Sequence, residues 1–193
     1  MYHLSCTQNA NFSWLTFVKG VFDECGLSYI WNSQNFINDK WLKEKIKQCL
    51  SDQFQQSWNN DLQTCPKAIN YRIFKDSFGF ENYLNILEEK NLFIFSKFRM
   101  VNHALPIERG RWQNIERENR SCTLCLSDIG DEYHYILKCP FFSEERKLYL
   151  RKRFYKRPNI MGFKEIMSSS NKQILINLCK FIKTINKGVS PPD

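Results

Sequence analysis

The 193-residue chain is poor in the residues that punctuate loops, with 7 Gly and 6 Pro. That scarcity excludes a many-turned β-sandwich and points to helices joined by short connections. The sequence also lacks any apolar run approaching the ~20 residues that cross a bilayer as a helix, so no membrane partner is expected. The opening stretch, MYHLSCTQNANFSWLTFVKG, has neither a basic start nor an uninterrupted apolar segment and reads as no export signal. The eight Cys are therefore not a secreted disulfide framework, and the expected compartment is intracellular and reducing, nucleus or cytoplasm unresolved. No phosphate loop, no nucleophile elbow and no paired carboxylates beside an open metal position occur, so no catalytic residue and no enzyme activity are expected.

What is present suffices for a packed core: 42% hydrophobic residues, including 16 Phe, 8 Tyr and 5 Trp. The net charge of +8 favours anionic partners such as RNA or DNA, or serves as a solubilising surface. Five cysteines, Cys6, Cys25, Cys49, Cys65 and Cys179, are scattered and read as free thiols.

Helical periodicity dominates. Residues 11–25 carry Trp14, Phe17, Val18, Val21 and Phe22 at helical spacing, with Gly26 as a stop and a linker beyond it. Residues 38–63 read as one long helix, capped by Asn38 or Asp39 and closed by Pro66. Its apolar positions, Leu42, Ile46, Leu50, Phe54, Trp58 and Leu62, step by four. Such a stripe drifts around a 3.6-residue helix and should meet more than one neighbour. Residues 67–77 read as a short helix or turn. Residues 80–103 read as two helices, or one kinked helix, interrupted near EEKN at 88–91 and stopped by Pro106. Residues 107–121 show no helical stripe. A basic helix is expected over 143–156, a short one near 160–167, and a last one over 171–186 burying Ile174, Leu175, Leu178, Phe181, Ile182 and Ile185. The fold class is mostly α: a helical bundle over residues 1–105, then a small zinc-centred α-rich region over 106–193, the two sharing one core.

The chemistry sits in that second region. Cys122-Thr-Leu-Cys125 is followed after eight residues by His134 and after four more by Cys139. A Cys-x2-Cys turn offers two thiolates to one tetrahedral metal, and a nearby segment must supply the other two ligands. Three thiolates and an imidazole are a structural set for Zn²⁺ and leave no open position for catalysis. The spacing of five from His134 to Cys139 does not lie on one α-helical face. It works if the helix ends at Lys138 and Pro140 biases Cys139 towards extended backbone. Apart from the metal, residues 120–141 carry too few apolar groups to hold a fixed shape. His103 reads as a packing or hydrogen-bonding residue and Arg99 as an internal charge partner.

The motif and its flanks resemble the C-terminal zinc-binding region of non-LTR (LINE-type) retrotransposon reverse transcriptases. The cues are Lys97-Phe98-Arg99, Asn102-His103, Leu105-Pro106-Ile107-Glu108, Gly110-Arg111, Arg120 two before the first Cys, Asp131-Glu132 before the His, Cys139-Pro140 and Arg146. The resemblance is best from about Phe95 to Tyr155, and the family's ligands map onto Cys122, Cys125, His134 and Cys139 without departure. It implies a segment that follows the polymerase and thumb and helps bind template RNA or target DNA, with the reverse-transcriptase core as a partner in the parent protein. A polymerase palm needs paired aspartates for two Mg²⁺ ions, and this chain has no Asp-Asp pair. The chain therefore reads as a detached C-terminal fragment without the palm.

Two basic clusters are candidate nucleic-acid contacts. The first is Arg109, Arg111, Arg117 and Arg120 around Trp112. The second, Arg151, Lys152, Arg153, Lys156 and Arg157, follows Arg146 and Lys147 and is interleaved with Tyr149, Phe154 and Tyr155. Arginine forks grip phosphate and exposed aromatics stack on unpaired bases, which favours RNA or a single strand. The competing reading is a structural or protein-interaction zinc module, or a remnant, without nucleic-acid affinity.

Overall fold

The computed structural model describes residues 13–35 and 37–189. Cys6, residues 11–12 of the first expected helix and the last four residues lie outside them. Two compact units divide between Asn60 and Asp61.

The first unit carries α1 (Ser13–Glu24), α2 (Ser28–Ser33) and most of α3 (Asp39–Thr64). Gly26 takes φ +67°, the left-handed conformation that ends α1. The expected linker after it is in fact the short helix α2. Its small core is Cys25, Leu27 and Ile30, with Val21, Phe22, Ile37, Leu42, Ile46 and Cys49 packed around it. Asn38 caps α3, its Oδ1 accepting from the Trp41 N–H at 3.0 Å. The four-residue stripe drifts as its period requires: Leu42 and Ile46 face this core, whereas Leu50 and Phe54 are exposed.

The second unit is built on a larger core running from Phe74 to Val189. It contains α4 (Tyr71–Phe74), α5 (Tyr83–Ile86), α6 (Glu89–Arg99), α7 (Pro106–Trp112), α8 (Ser143–Tyr149), α9 (Lys152–Lys156), α10 (Ile160–Met167) and α11 (Lys172–Val189). α11 presents Leu175, Leu178, Phe181, Ile182 and Ile185 inward and packs on α6, α8 and the ligand-bearing segment 134–138. Each such side chain contributes ~1.5–3 kcal/mol by leaving water. Ile174, expected in this face, is only partly buried.

Four further expectations need correction. The interruption between α5 and α6 falls at Leu87 and Glu88, both extended, and the rest of EEKN opens α6. Met100 ends α6 and Val101 turns at φ +54°, so Pro106 stops nothing. It stands at the first position of α7, where a missing N–H costs nothing. The basic helix expected over 143–156 is two helices, because Leu150 turns extended and buries its side chain. Finally, residues 131–139 are not short of apolar anchors: Tyr135, Ile136 and Leu137 are almost fully buried in the main core. Among the described residues no β-sheet forms; one antiparallel bridge joins Ser121 and Ile129.

Candidate metal centre

The first two ligands sit on a tight loop. Cys122 N–H donates to the Asp128 carbonyl at 2.8 Å, and Leu126 N–H donates to the Cys122 carbonyl at 3.0 Å. Leu126 takes φ +57°, unusual for a leucine, and its side chain is exposed. Gly130 closes the loop, and its backbone pairs with Arg120 and Ile107. A Cβ at Gly130 would lie 2.8 Å from Pro106 Cγ and 3.0 Å from Cys122 Cα, so the start of α7 packs directly on the cysteine loop.

The third ligand enters on a short helix that Asp131 caps, its Oδ1 accepting from the His134 N–H at 2.9 Å. From His134 to Lys138 the helix is a π segment, and Cys139 N–H donates to the His134 carbonyl at 2.8 Å. A π turn brings residues five apart onto one face, which an α turn cannot. Cys139 itself is extended before Pro140, at φ −50° and ψ 119°, as the proline requires.

One atom from each of Cys122, Cys125, His134 and Cys139 falls within 4.8 Å of all the others. Cys122 Sγ and Cys139 Sγ are 3.8 Å apart, and Cys125 Sγ is 3.3 Å from His134 Nε2. Sulfurs at the corners of a tetrahedron with ~2.3 Å metal bonds would be separated by about 3.8 Å, so the cluster fits a tetrahedral ion such as Zn²⁺. All four protein positions are filled by side chains, three of them buried.

The surroundings suit a bound cation. Burial pushes the Cys139 thiol up to about 12, so metal uptake must displace its proton. At Cys125 burial acts in the same direction, but hydrogen bonding from Ser127, Cys122 and Cys139 outweighs it and the thiol falls below its ordinary value. Burial lowers the His134 imidazole against the pull of Asp128 and Asp131, which favours the neutral, ligating form. His134 Nδ1 is buried without a hydrogen-bond partner, 3.7 Å from the Asp128 carboxylate that Lys138 holds at 2.6 Å. With Nε2 on a metal, Nδ1 is the proton-bearing nitrogen and Asp128 its acceptor in waiting. Tyr135 Oη lies 3.3 Å from Cys122 Sγ, where a thiolate would accept a hydrogen bond from the hydroxyl.

Behind the ligands, Arg146 is buried and donates to the carbonyls of Ile136 at 2.7 Å, Tyr135 at 3.2 Å and Cys139 at 2.8 Å. It caps the C-terminal end of the π segment and is not a surface cation. Glu132 is also buried, between His103 Nε2, 2.6 Å away, and Asn70 Nδ2, 2.5 Å away. Burial raises this carboxyl, but His103 and Asn70 more than reverse that and hold it below its usual range. Arg99 is also internal, pairing with Glu81 and the Met167 carbonyl among the rings of Phe74, Tyr83 and Phe95.

The two basic clusters differ. In the first, Arg111 forks onto Glu108 at 2.7 and 2.9 Å, Arg117 reaches Asp131 at 3.2 Å, and Arg120 donates to the carbonyls of Ile115 and Ile107. Arg109 reaches the Val189 carbonyl at 3.3 Å, and only Trp112 stands well out in solvent. In the second, Arg151, Lys152, Arg153, Lys156 and Arg157 are all exposed, and among the described residues only Arg153 of these has an ion-pair partner, Glu165. Phe154 is buried and Tyr149 and Tyr155 are half-buried, so the aromatics interleaved there belong to the core.

The sequence reading missed Asn70, Asp128 and the capping role of Arg146. A basic residue soon after a helix end was the available signal for Arg146; nothing local signals Asn70, 62 residues before its partner. Among the described residues no helix is long and apolar enough to cross a membrane. Compared with protein-family models, curated proteins and solved structures, the chain matches none.

Proposed function

We propose that this chain is a non-catalytic zinc module, akin to a reverse-transcriptase tail, that binds RNA or another single strand. The observation that carries the zinc assignment is the four-ligand cluster, whose 3.8 Å sulfur separation and donor set suit Zn²⁺ better than harder ions. A closed ligand set makes the ion a brace and not a Lewis acid for substrate. Support for nucleic acid comes from the exposed stretch 151–157, where five cations share seven residues with one ion pair among them. The resemblance of residues 95–155 to the non-LTR retrotransposon region points the same way, with Cys122, Cys125, His134 and Cys139 as the ligands.

Phosphate contacts release counterions, so affinity for a single-stranded oligonucleotide should fall steeply with salt. Replacing Lys152, Lys156 and Arg157 by Ala together should flatten that salt dependence by about two to three ions. Replacing Arg111 and Arg117 should instead lower thermal stability, because those guanidiniums are engaged internally. An absence of binding at ~50 mM salt would reject the nucleic-acid reading.

A second reading is favoured by that same internal use of the first cluster. Here zinc braces a helical unit that docks on protein, such as a polymerase core, and has no nucleic-acid affinity. The exposed Trp14, Phe17 and Trp41 of the first unit are the surface such a partner would cover.

A further inference from the structure

A polar cavity of about 170 Å³ opens beside α10 in the second unit, away from the metal ligands. Its walls include Ser77, Phe80, Glu81, Asn82, Arg99 and Ser168. Arg99 is 2% exposed, and its Nε is buried without a hydrogen-bond partner. Phe80, by contrast, is 67% exposed. We propose that this cavity binds one unpaired nucleobase, with Phe80 as the stacking platform and the Arg99–Glu81 pair, Asn82 and the serines reading the polar edge. This rests on the single-strand reading above.

Size, chemistry and position support the assignment. Sites for drug-sized ligands run to about 300–1,000 Å³, so this cavity takes a single flat fragment and not a whole nucleotide. The charges lining it are balanced: Lys75 against Asp76, and Arg99 against Glu81. A free phosphate would gain little from such a lining. A base gains both donors and acceptors, and an aromatic face that is costly to leave in water becomes useful when a second ring covers it. Position adds a path. Ser168 and Ser169 close α10, and the same helix holds Arg153 of α9 through Glu165 and Asp76 of the cavity wall through Lys164. A helix of eight residues is ~12 Å long, so the exposed cations of 151–157 and the cavity lie within reach of one short strand.

The test is equilibrium binding of a labelled mixed-sequence single-stranded RNA to the full chain in its zinc-loaded form, by fluorescence anisotropy. Phe80→Ala should weaken binding about tenfold, Phe80→Trp should retain it, and both should keep the native melting temperature and zinc content. An RNA of the same length with abasic sugars should bind the native protein about as weakly as intact RNA binds Phe80→Ala. If Phe80→Ala binds as tightly as the native chain while loss of Lys152, Lys156 and Arg157 abolishes binding, the base site is wrong and the single-strand reading stands. If the native chain binds no RNA at ~50 mM salt, both are overturned.

Discussion

Cys139 and His134 are joined by a backbone hydrogen bond of 2.8 Å across five residues, so two ligands that an α-helix would splay apart share one face. The π turn is the device that makes the ligand spacing work. It also carries Tyr135, Ile136 and Leu137 into the main core, which couples the ligand cluster to the packing of the whole second unit.

Inserting an alanine after Lys138 should set His134 and Cys139 one residue further apart than a π turn brings onto one face, a spacing an α turn also splays, and so rotate Cys139 away from the other ligands. Metal affinity, measured by competition with a chromophoric chelator, should fall by at least about tenfold. Lys138→Ala keeps the register, loses an exposed ion pair with Asp128 and a cation–π contact with Tyr133, and should change affinity far less.

Arg146→Ala should be among the most damaging single changes outside the ligands. It strips three buried carbonyls of their donor, each worth ~1–3 kcal/mol when left unmade, so a loss of about 3 kcal/mol or more is expected in urea unfolding of the second unit. Arg146→Lys should recover little, since an ammonium cannot reproduce the planar fork.

Glu108 supplies a pH dependence. Burial raises its carboxyl, but Arg111 and Lys67 outweigh that and leave it below the usual value of 4.5. A depressed carboxyl stabilises the fold above its unfolded value and loses that contribution as pH falls through the folded one. Stability should therefore decline as pH drops below about 4.5, and Glu108→Gln should flatten that part of the profile while lowering the melting temperature at pH 7. A profile unchanged by Glu108→Gln would show that the Arg111–Lys67–Glu108 grouping contributes nothing.

The parts legible in the sequence are those whose physics is local. The ligands declare themselves because thiols and imidazole at close spacing have few other uses. α3 declares itself by period and by its cap at Asn38, and α11 by period alone, its cap at Asn171, whose Oδ1 accepts from the Ile174 N–H, emerging only in the structure. α7 was hidden because its burial comes from the cysteine loop and not from a stripe: Pro106 packs against Gly130, and Arg120 lies across Gly110. Arg146 looked like one more surface cation because its three acceptors are backbone atoms, which leave no trace in side-chain patterns. The Asn70–Glu132–His103 network is likewise long-range, and only the fold brings its members together.

Metal content measures the central claim most directly. The purified chain should carry one Zn²⁺, and Cys122→Ser, Cys125→Ser, His134→Ala and Cys139→Ser should each lose it. Chelation should melt the packing of residues 61–193, seen in the near-ultraviolet spectrum, while the helices of residues 13–60 persist. A native chain that is folded without any bound metal, with a spectrum indifferent to chelator, would contradict the account.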